Sequence, residues 1–80
     1  MFRIEKCRDK AVYSAKLDKP RRLDLKRIAA KFKTIQDTPI VLVVEVDGVE
    51  VIVHRHGELL FKNCNDMEKL RKIAEKIYGA

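Results

Sequence analysis

The stretch IVLVVEVDGVEVIV, residues 40–53, carries the strongest structural signal in this chain of 80 residues. Its two β-branched runs are separated by Asp47-Gly48, and a type I′ turn needs positive φ at both central positions, which this pair tolerates. The sequence therefore predicts a hairpin with a two-residue turn, in which Val46 lies opposite Val49.

Both faces of this predicted hairpin are apolar. The register places Val44 and Val51 on one face, and it places Val43 opposite Ile52 on the other. An antiparallel sheet that is covered on one side normally shows polar residues on its other side. The second apolar face therefore predicts an interaction surface. The alternative is that residues 2–7 fold over this face and hide it.

The segments before the hairpin predict further strands and a helix. Residues 2–7 and 11–17 have strand character and form either a hairpin or one long bulged strand. Apolar residues then recur at helical spacing, which predicts a helix capped by Asp24 and ending near Lys33. Residues 34–39 are expected to form a loop.

The segments after the hairpin predict a last strand and a second helix. A tight turn at residues 56–57 leads into a strand in which Leu59 and Phe61 join the second apolar face. An amphipathic helix then begins at Asn65 and is closed by Gly79.

Together the segments predict a single α+β domain over residues 1–80. Its curved antiparallel sheet has four to five strands with two helices packed on one face, in the order β(β)-α-β-β-β-α. A content of 46% hydrophobic and 38% charged residues favours a folded chain over a disordered one, and the heavy use of Lys, Glu and Arg is thermophile-like. The longest apolar run, Ile40–Val44, is far shorter than the roughly 20 residues that span a bilayer. We therefore expect a cytoplasmic protein with no membrane partner.

The sequence contains no pattern that indicates catalysis, a cofactor or a small-molecule substrate. Neither a Gly-rich phosphate loop nor a GxSxG motif is present, and the aspartates occur where turns and helix caps use them. His54, His56 and Cys64 supply three potential metal ligands without a fourth, and Cys7 and Cys64 do not form a CxxC pair. We therefore predict a binding module that is not an enzyme and has neither a metal nor a cofactor.

The positive charge of the chain indicates a polyanionic partner. The net charge is +6 and the isoelectric point is about 9.6, which favours nucleic acid. Basic residues cluster on the first helix and on the segment that leads into it, where they could contact phosphates. The alternative is that they form an ordinary solvent-exposed helix face with no binding role. The candidate phosphate contacts are Arg21, Arg22, Lys26, Arg27 and Lys31.

Several of these features together resemble one repeat of the TATA-binding protein. They are the segment Leu23-Asp24-Leu25 that opens a helix, the hairpin, the turn before Gly57 and the terminal amphipathic helix, and the resemblance covers residues 11–79. It implies a saddle whose concave sheet face binds duplex DNA, with the helices on the other side. A single repeat then requires a homodimer. The candidate residues of this face are Val12, Ser14, Val41, Val43, Ile52, His54, Leu59, Phe61 and Asn63.

The chain departs from that family at the residues that kink DNA. The resemblance implies Phe residues near Val43 or Val44 and near His54, and none of these positions holds one. Sharp kinking needs an apolar side chain inserted between base steps, so it is not expected here. The two functional hypotheses are duplex DNA binding by a homodimer through the apolar sheet face, and a protein assembly module that uses the same face without nucleic acid.

Overall fold

The computed structural model describes residues 2–6, 13–19, 21–62, 64 and 66–79, and it shows an α+β fold. The predicted fold class is confirmed, but the described residues form six strands instead of four to five, in the order β-β-α-β-β-β-β-α. The elements are β1 (Phe2–Lys6), β2 (Tyr13–Leu17), α1 (Leu25–Lys31), β3 (Lys33–Asp37), β4 (Val41–Val46), β5 (Val49–His54), β6 (Leu59–Phe61) and α2 (Met67–Tyr78).

The six strands form one antiparallel sheet in the spatial order β1-β2-β6-β5-β4-β3. The β4–β5 hairpin is confirmed in its turn and its register. Asp47 has φ 52° and Gly48 has φ 79°, as a type I′ turn requires, and Val46 lies opposite Val49. The local sequence is sufficient to predict this part of the fold.

Strand β3 occupies the segment that was expected to be a loop. Helix α1 ends before the predicted Lys33 because Phe32 is extended, with φ −128° and ψ 162°. Strand β3 then pairs with β4 through a bulge between Thr34 and Gln36. All its residues are exposed at the sheet edge, so its sequence lacks the alternation by which a half-buried strand is recognised.

Both helices pack on the same face of the sheet, as predicted. Asp24 caps α1 by accepting a hydrogen bond from the Arg27 amide, and Asp66 caps α2 in place of the predicted Asn65, which lies outside the described residues. Within the described part of the chain, neither helix has the length and apolar composition needed to cross a bilayer. The core is formed mainly by Leu25, Ile28, Leu42, Val44, Val51, Val53, Leu59, Phe61, Leu70, Ile73, Ala74 and Ile77.

The β5–β6 connection is a three-residue loop, Arg55-His56-Gly57. The His54 amide donates to the Glu58 carbonyl at 2.8 Å, and the Gly57 amide donates to the His54 carbonyl at 2.9 Å. Gly57 has φ 112°, as in hairpins in which a type I turn is followed by a residue with positive φ. The predicted turn had two residues, so the last strand is shifted by one position.

This shift moves Leu59 and Phe61 from the predicted face to the core. Leu59 lies opposite Val53 and Phe61 lies opposite Val51, and both predicted site residues are fully buried. Because successive side chains of a strand point to opposite faces, a change of one residue in loop length exchanges the faces of the whole strand. The prediction that Leu59 and Phe61 belong to the second apolar face is therefore wrong.

The N-terminal strand extends the sheet instead of covering it. Strand β1 pairs edge to edge with β2, with Phe2 opposite Leu17 and Lys6 opposite Tyr13. For residues 2–6 the alternative in which this segment hides the second face is excluded. Cys7 lies outside the described residues.

Candidate binding surfaces

The sheet surface opposite the helices, here called the open face, has an apolar centre. Across it Ser14 lies opposite Leu60, Leu60 opposite Ile52, Ile52 opposite Val43, and Val43 opposite Gln36. Ser14 is only 2% exposed and Val43 only 9%, while Leu60 and Ile52 are half-buried. Neighbouring side chains therefore cover much of this apolar centre.

Charged side chains of both signs surround this centre. Strand alternation places four cations and four carboxylates of the described residues on the open face, so their charges cancel. They are Arg3, Lys16, Lys33 and Lys62 with Glu5, Glu45, Glu50 and Glu58.

Several of these charges form ion pairs, most of them across strands. Arg3 Nε donates to Glu5 Oε1 at 2.8 Å, and Lys16 Nζ lies 3.4 Å from Glu5 Oε2 and 3.8 Å from Glu58 Oε2. The hydrogen bond from Arg3, together with the charge of Lys16, lowers the pKa of Glu5 below its ordinary value. On the other side of the face, Lys33 Nζ lies 3.4 Å from Glu45 Oε2.

His54 stands on the open face opposite Val41. Its Nε2 is buried and has no hydrogen-bond partner among the described residues, and its ring lies 5.4 Å from that of His56. Among the described residues, which include both histidines and Cys64, no group of three or more His, Cys, Asp or Glu side chains could hold a metal ion.

The structure unites only some of the residues predicted for the sheet face. Ser14, Val41, Val43, Ile52 and His54 share the open face. Leu59 and Phe61 lie in the core, as described above, while Val12 and Asn63 lie outside the described residues. Sequence reasoning missed Leu60, which takes the place expected for its two neighbours. The sequence signal that could have identified Leu60 is Gly57. Glycine suits the third position of a three-residue loop, but it suits the second position of a two-residue turn equally well.

A second surface is strongly basic. All five predicted phosphate contacts are exposed, and Lys19 and the half-buried Arg55 adjoin them in the chain or in space. The basic surface is formed by Lys19, Arg21, Arg22, Lys26, Arg27, Lys31 and Arg55. Arg55 was missed because its proximity depends on a tertiary contact, in which the Leu23 amide donates to the Arg55 carbonyl at 2.8 Å.

The charges of the basic surface are not neutralised, in contrast to those of the open face. Arg21 Nη2 donates to the Tyr78 carbonyl at 2.7 Å, a contact that leaves its charge uncompensated. The other six basic side chains form no ion pair with any residue that the structure describes. A cleft of about 660 Å³ separates part of α1 from the β3–β4 turn, with Arg22, Lys26 and Arg55 along its walls beside Asp24 and Asp37.

Tyr78, the last residue of α2, fixes the turn beside this surface. Its hydroxyl lies 2.6 Å from the Gly57 carbonyl oxygen and 3.2 Å from the Ala15 carbonyl oxygen. Burial raises the pKa of the Tyr78 phenol, so the hydroxyl keeps its proton and remains a hydrogen-bond donor. The end of α2 thus connects the loop before β6 with strand β2.

Comparison of the chain with protein-family models, with curated proteins and with solved structures finds no match. Function is therefore inferred from the open face and the basic surface.

Proposed function

We propose that this chain is a non-catalytic module that binds the phosphate backbone of nucleic acid through its basic surface. One observation carries the proposal. Residues 19–31 contain six basic side chains and one carboxylate, a net charge of +5 in a chain whose net charge is +6. Phosphate contacts of this kind release condensed counterions and give affinity that is independent of base sequence.

The electrostatics of the open face disfavour that face as the nucleic-acid site. Its four carboxylates stand where a phosphate backbone would have to approach, and its charges cancel. The fully buried Phe61 is not available as a wedge between base steps. On the basic surface the cations outnumber the neighbouring carboxylates Asp24 and Asp37, and phosphate contacts there need no wedge.

Our proposal includes the likeness to one repeat of the TATA-binding protein, and the order of the elements supports it. Strand β2 precedes the segment Leu23-Asp24-Leu25 at the start of α1, antiparallel strands follow, and Gly57 stands in the loop before the last strand and the long helix. The resemblance implies DNA on the sheet side, whereas the unpaired positive charges lie on α1 and on the segment that leads into it. Under our proposal this chain shares the arrangement of that repeat and binds nucleic acid on a different surface.

The proposal predicts salt-dependent binding that depends on α1. The double substitution Arg27→Gln and Lys31→Gln removes two positive charges. It should reduce the magnitude of the slope of log affinity against log salt by about two, since each phosphate contact contributes about one. The measurement is fluorescence anisotropy of a labelled oligonucleotide, single-stranded and as a duplex, over a series of salt concentrations.

A matched control separates local contacts from net charge. Arg71→Gln with Lys72→Gln removes the same charge from exposed positions of α2, and it should leave the salt slope unchanged. Equal losses in the two double variants would indicate a general charge effect, and absence of wild-type binding at low salt would overturn the proposal.

The second candidate function is self-association through the open face, and the charge pattern favours it. Lys62 and Glu50 are neighbours across β6 and β5, as are Leu60 and Ile52. Two copies could stack open face to open face about a two-fold axis that runs parallel to these strands, above the face and midway between β5 and β6. Such an axis would set each Lys62 over Glu50 of the second copy and each Leu60 over Ile52 of the second copy. Isologous interfaces require this kind of self-complementary patch.

A substitution at the centre of the open face tests this second candidate. Ile52→Lys should shift the chain from dimer to monomer in sedimentation equilibrium, because it places two like charges in the apolar centre of the interface. Ile35→Lys is the control, since Ile35 is 50% exposed on the edge strand β3, and it should leave the dimer intact. A wild-type chain that stays monomeric up to its solubility limit would exclude this function.

A further inference from the structure

A shallow depression in the basic surface is lined by three arginines and one histidine. Its volume is about 380 Å³ and its walls are Arg21, Arg22, Arg55 and His56. No carboxylate of the described residues lines it. Glu58, whose Oε1 lies 3.7 Å from His56 Nε2, belongs to the open face. Three guanidinium groups around one space repel one another, and an anion between them would relieve that repulsion.

The backbone that presents these side chains is fixed by hydrogen bonds. The Arg55 amide donates to the Ile40 carbonyl at 3.1 Å, and the Arg55 carbonyl accepts from the Leu23 amide at 2.8 Å. The loop is closed by the bond from the Gly57 amide to the His54 carbonyl. These contacts hold the β5–β6 loop against the segment that carries Arg21 and Arg22, although the two segments are more than thirty residues apart.

Arg21 is oriented before any ligand binds. Its Nη2 donates to the Tyr78 carbonyl at 2.7 Å, and the Tyr78 hydroxyl contacts the Gly57 carbonyl at 2.6 Å. One residue at the end of α2 thus positions both sides of the depression. A guanidinium has five N–H groups, so Arg21 keeps donors for a second acceptor. A preoriented group loses less conformational entropy on binding than a free one.

From these observations we infer that the depression holds a single phosphate group and is the anchoring contact of the nucleic-acid site. The inference rests on the proposed function, of which it names the central contact. Guanidinium groups bind phosphate oxygens through paired N–H donors, and three of them would match the oxygens of one phosphate. The occupant is a phosphodiester of the nucleic-acid backbone, although a free phosphate ion offers the same chemistry.

The test compares two single neutralisations within the basic surface. Arg55→Gln removes a wall of the depression, and Lys31→Gln removes the same charge from the exposed end of α1, outside it. Arg55→Gln should weaken oligonucleotide binding by about tenfold or more, and Lys31→Gln by about threefold or less, because only the first removes a guanidinium group from the depression, and an exposed ion pair at the end of a helix contributes little. Arg22→Gln, at an exposed position, should resemble Arg55→Gln, and thermal unfolding by circular dichroism shows whether each variant is folded.

A second experiment titrates inorganic phosphate alone into the labelled wild-type protein, and binding is measured by changes in the amide chemical shifts. Shifts centred on Arg21, Arg22, Arg55 and His56 support the site. If phosphate binds there and no oligonucleotide binds to the protein, the site stands with a free anion as its occupant and the proposed function fails. If oligonucleotides bind and the Arg55 and Lys31 variants lose equal affinity, the inference fails while the proposed function stands. If neither ligand binds, both are overturned.

Discussion

Replacement of Phe61 by Ala is expected to lower the free energy of unfolding by about 3–5 kcal/mol, the range for a buried Phe truncated in a core. Phe61 is fully buried, and it lies between Val51 on β5 and Tyr13 on β2. Its removal leaves a cavity that the surrounding strands cannot fill. Since domains of this size have total stabilities of about 5–15 kcal/mol, much of the margin is lost. Chemical denaturation in guanidinium chloride measures the change.

Leu60→Ala is the matched control, because Leu60 is the next residue and points to the open face. It is half-buried, so its truncation should cost roughly 1 kcal/mol, less than a fully buried Leu. The order of the two effects tests the three-residue loop. A two-residue turn would exchange the faces of β6, and Leu60→Ala would then be the more damaging change.

The contrast between the two hairpins shows how far sequence alone leads. The β4–β5 hairpin could be predicted residue by residue because Asp47-Gly48 suits one turn type and one loop length. The β5–β6 loop contains Gly57, which two loop lengths accommodate. The three residues after this loop, Leu59-Leu60-Phe61, are all apolar, so either register of β6 would bury apolar side chains in the core. The hydrophobic pattern could therefore not decide between the two loop lengths.

Strand β3 and the arginine depression were beyond sequence reasoning for a different reason. Strand β3 is exposed at an edge and exists because β4 offers it a partner, so its own residues show no periodic pattern. The depression joins Arg21 and Arg22 to Arg55 through the Leu23 to Arg55 hydrogen bond, a contact between distant segments. Basic composition predicted the surface but could not predict this convergence.

The distribution of charge gives the two surfaces different roles. The open face matches its four cations with carboxylates and pairs most of these charges with neighbours on the sheet, which suits a protein surface. The basic surface leaves its charges unpaired, which costs self-repulsion in the free protein. A polyanion that neutralises them would stabilise the folded state by mass action. Because α1 packs on the side of the sheet opposite the open face, binding along α1 does not exclude binding at the open face.

Replacement of Gly57 by Ala is expected to destabilise the fold by about 2–4 kcal/mol, the sum of a backbone and a steric cost. Gly57 has φ 112°, which L residues rarely adopt. A Cβ at this position would lie 2.8 Å from Leu17 Cδ1 and 3.2 Å from the Arg21 carbonyl oxygen. The Leu17 methyl is the end of a flexible side chain and can shift, whereas the Arg21 carbonyl belongs to the backbone and gives way less easily. Thermal unfolding followed by circular dichroism measures the loss.

Gly48→Ala is the control that isolates the steric part. Gly48 also has positive φ, at 79°, but no described atom lies within 4 Å of a Cβ added there. Its substitution should cost only the backbone term, about 1–2 kcal/mol. Equal effects at the two glycines would contradict the close packing of the β5–β6 loop against Leu17 and Arg21. Because that packing also holds the arginine depression, Gly57→Ala should weaken phosphate binding in the fraction that remains folded, whereas Gly48→Ala should leave it unchanged.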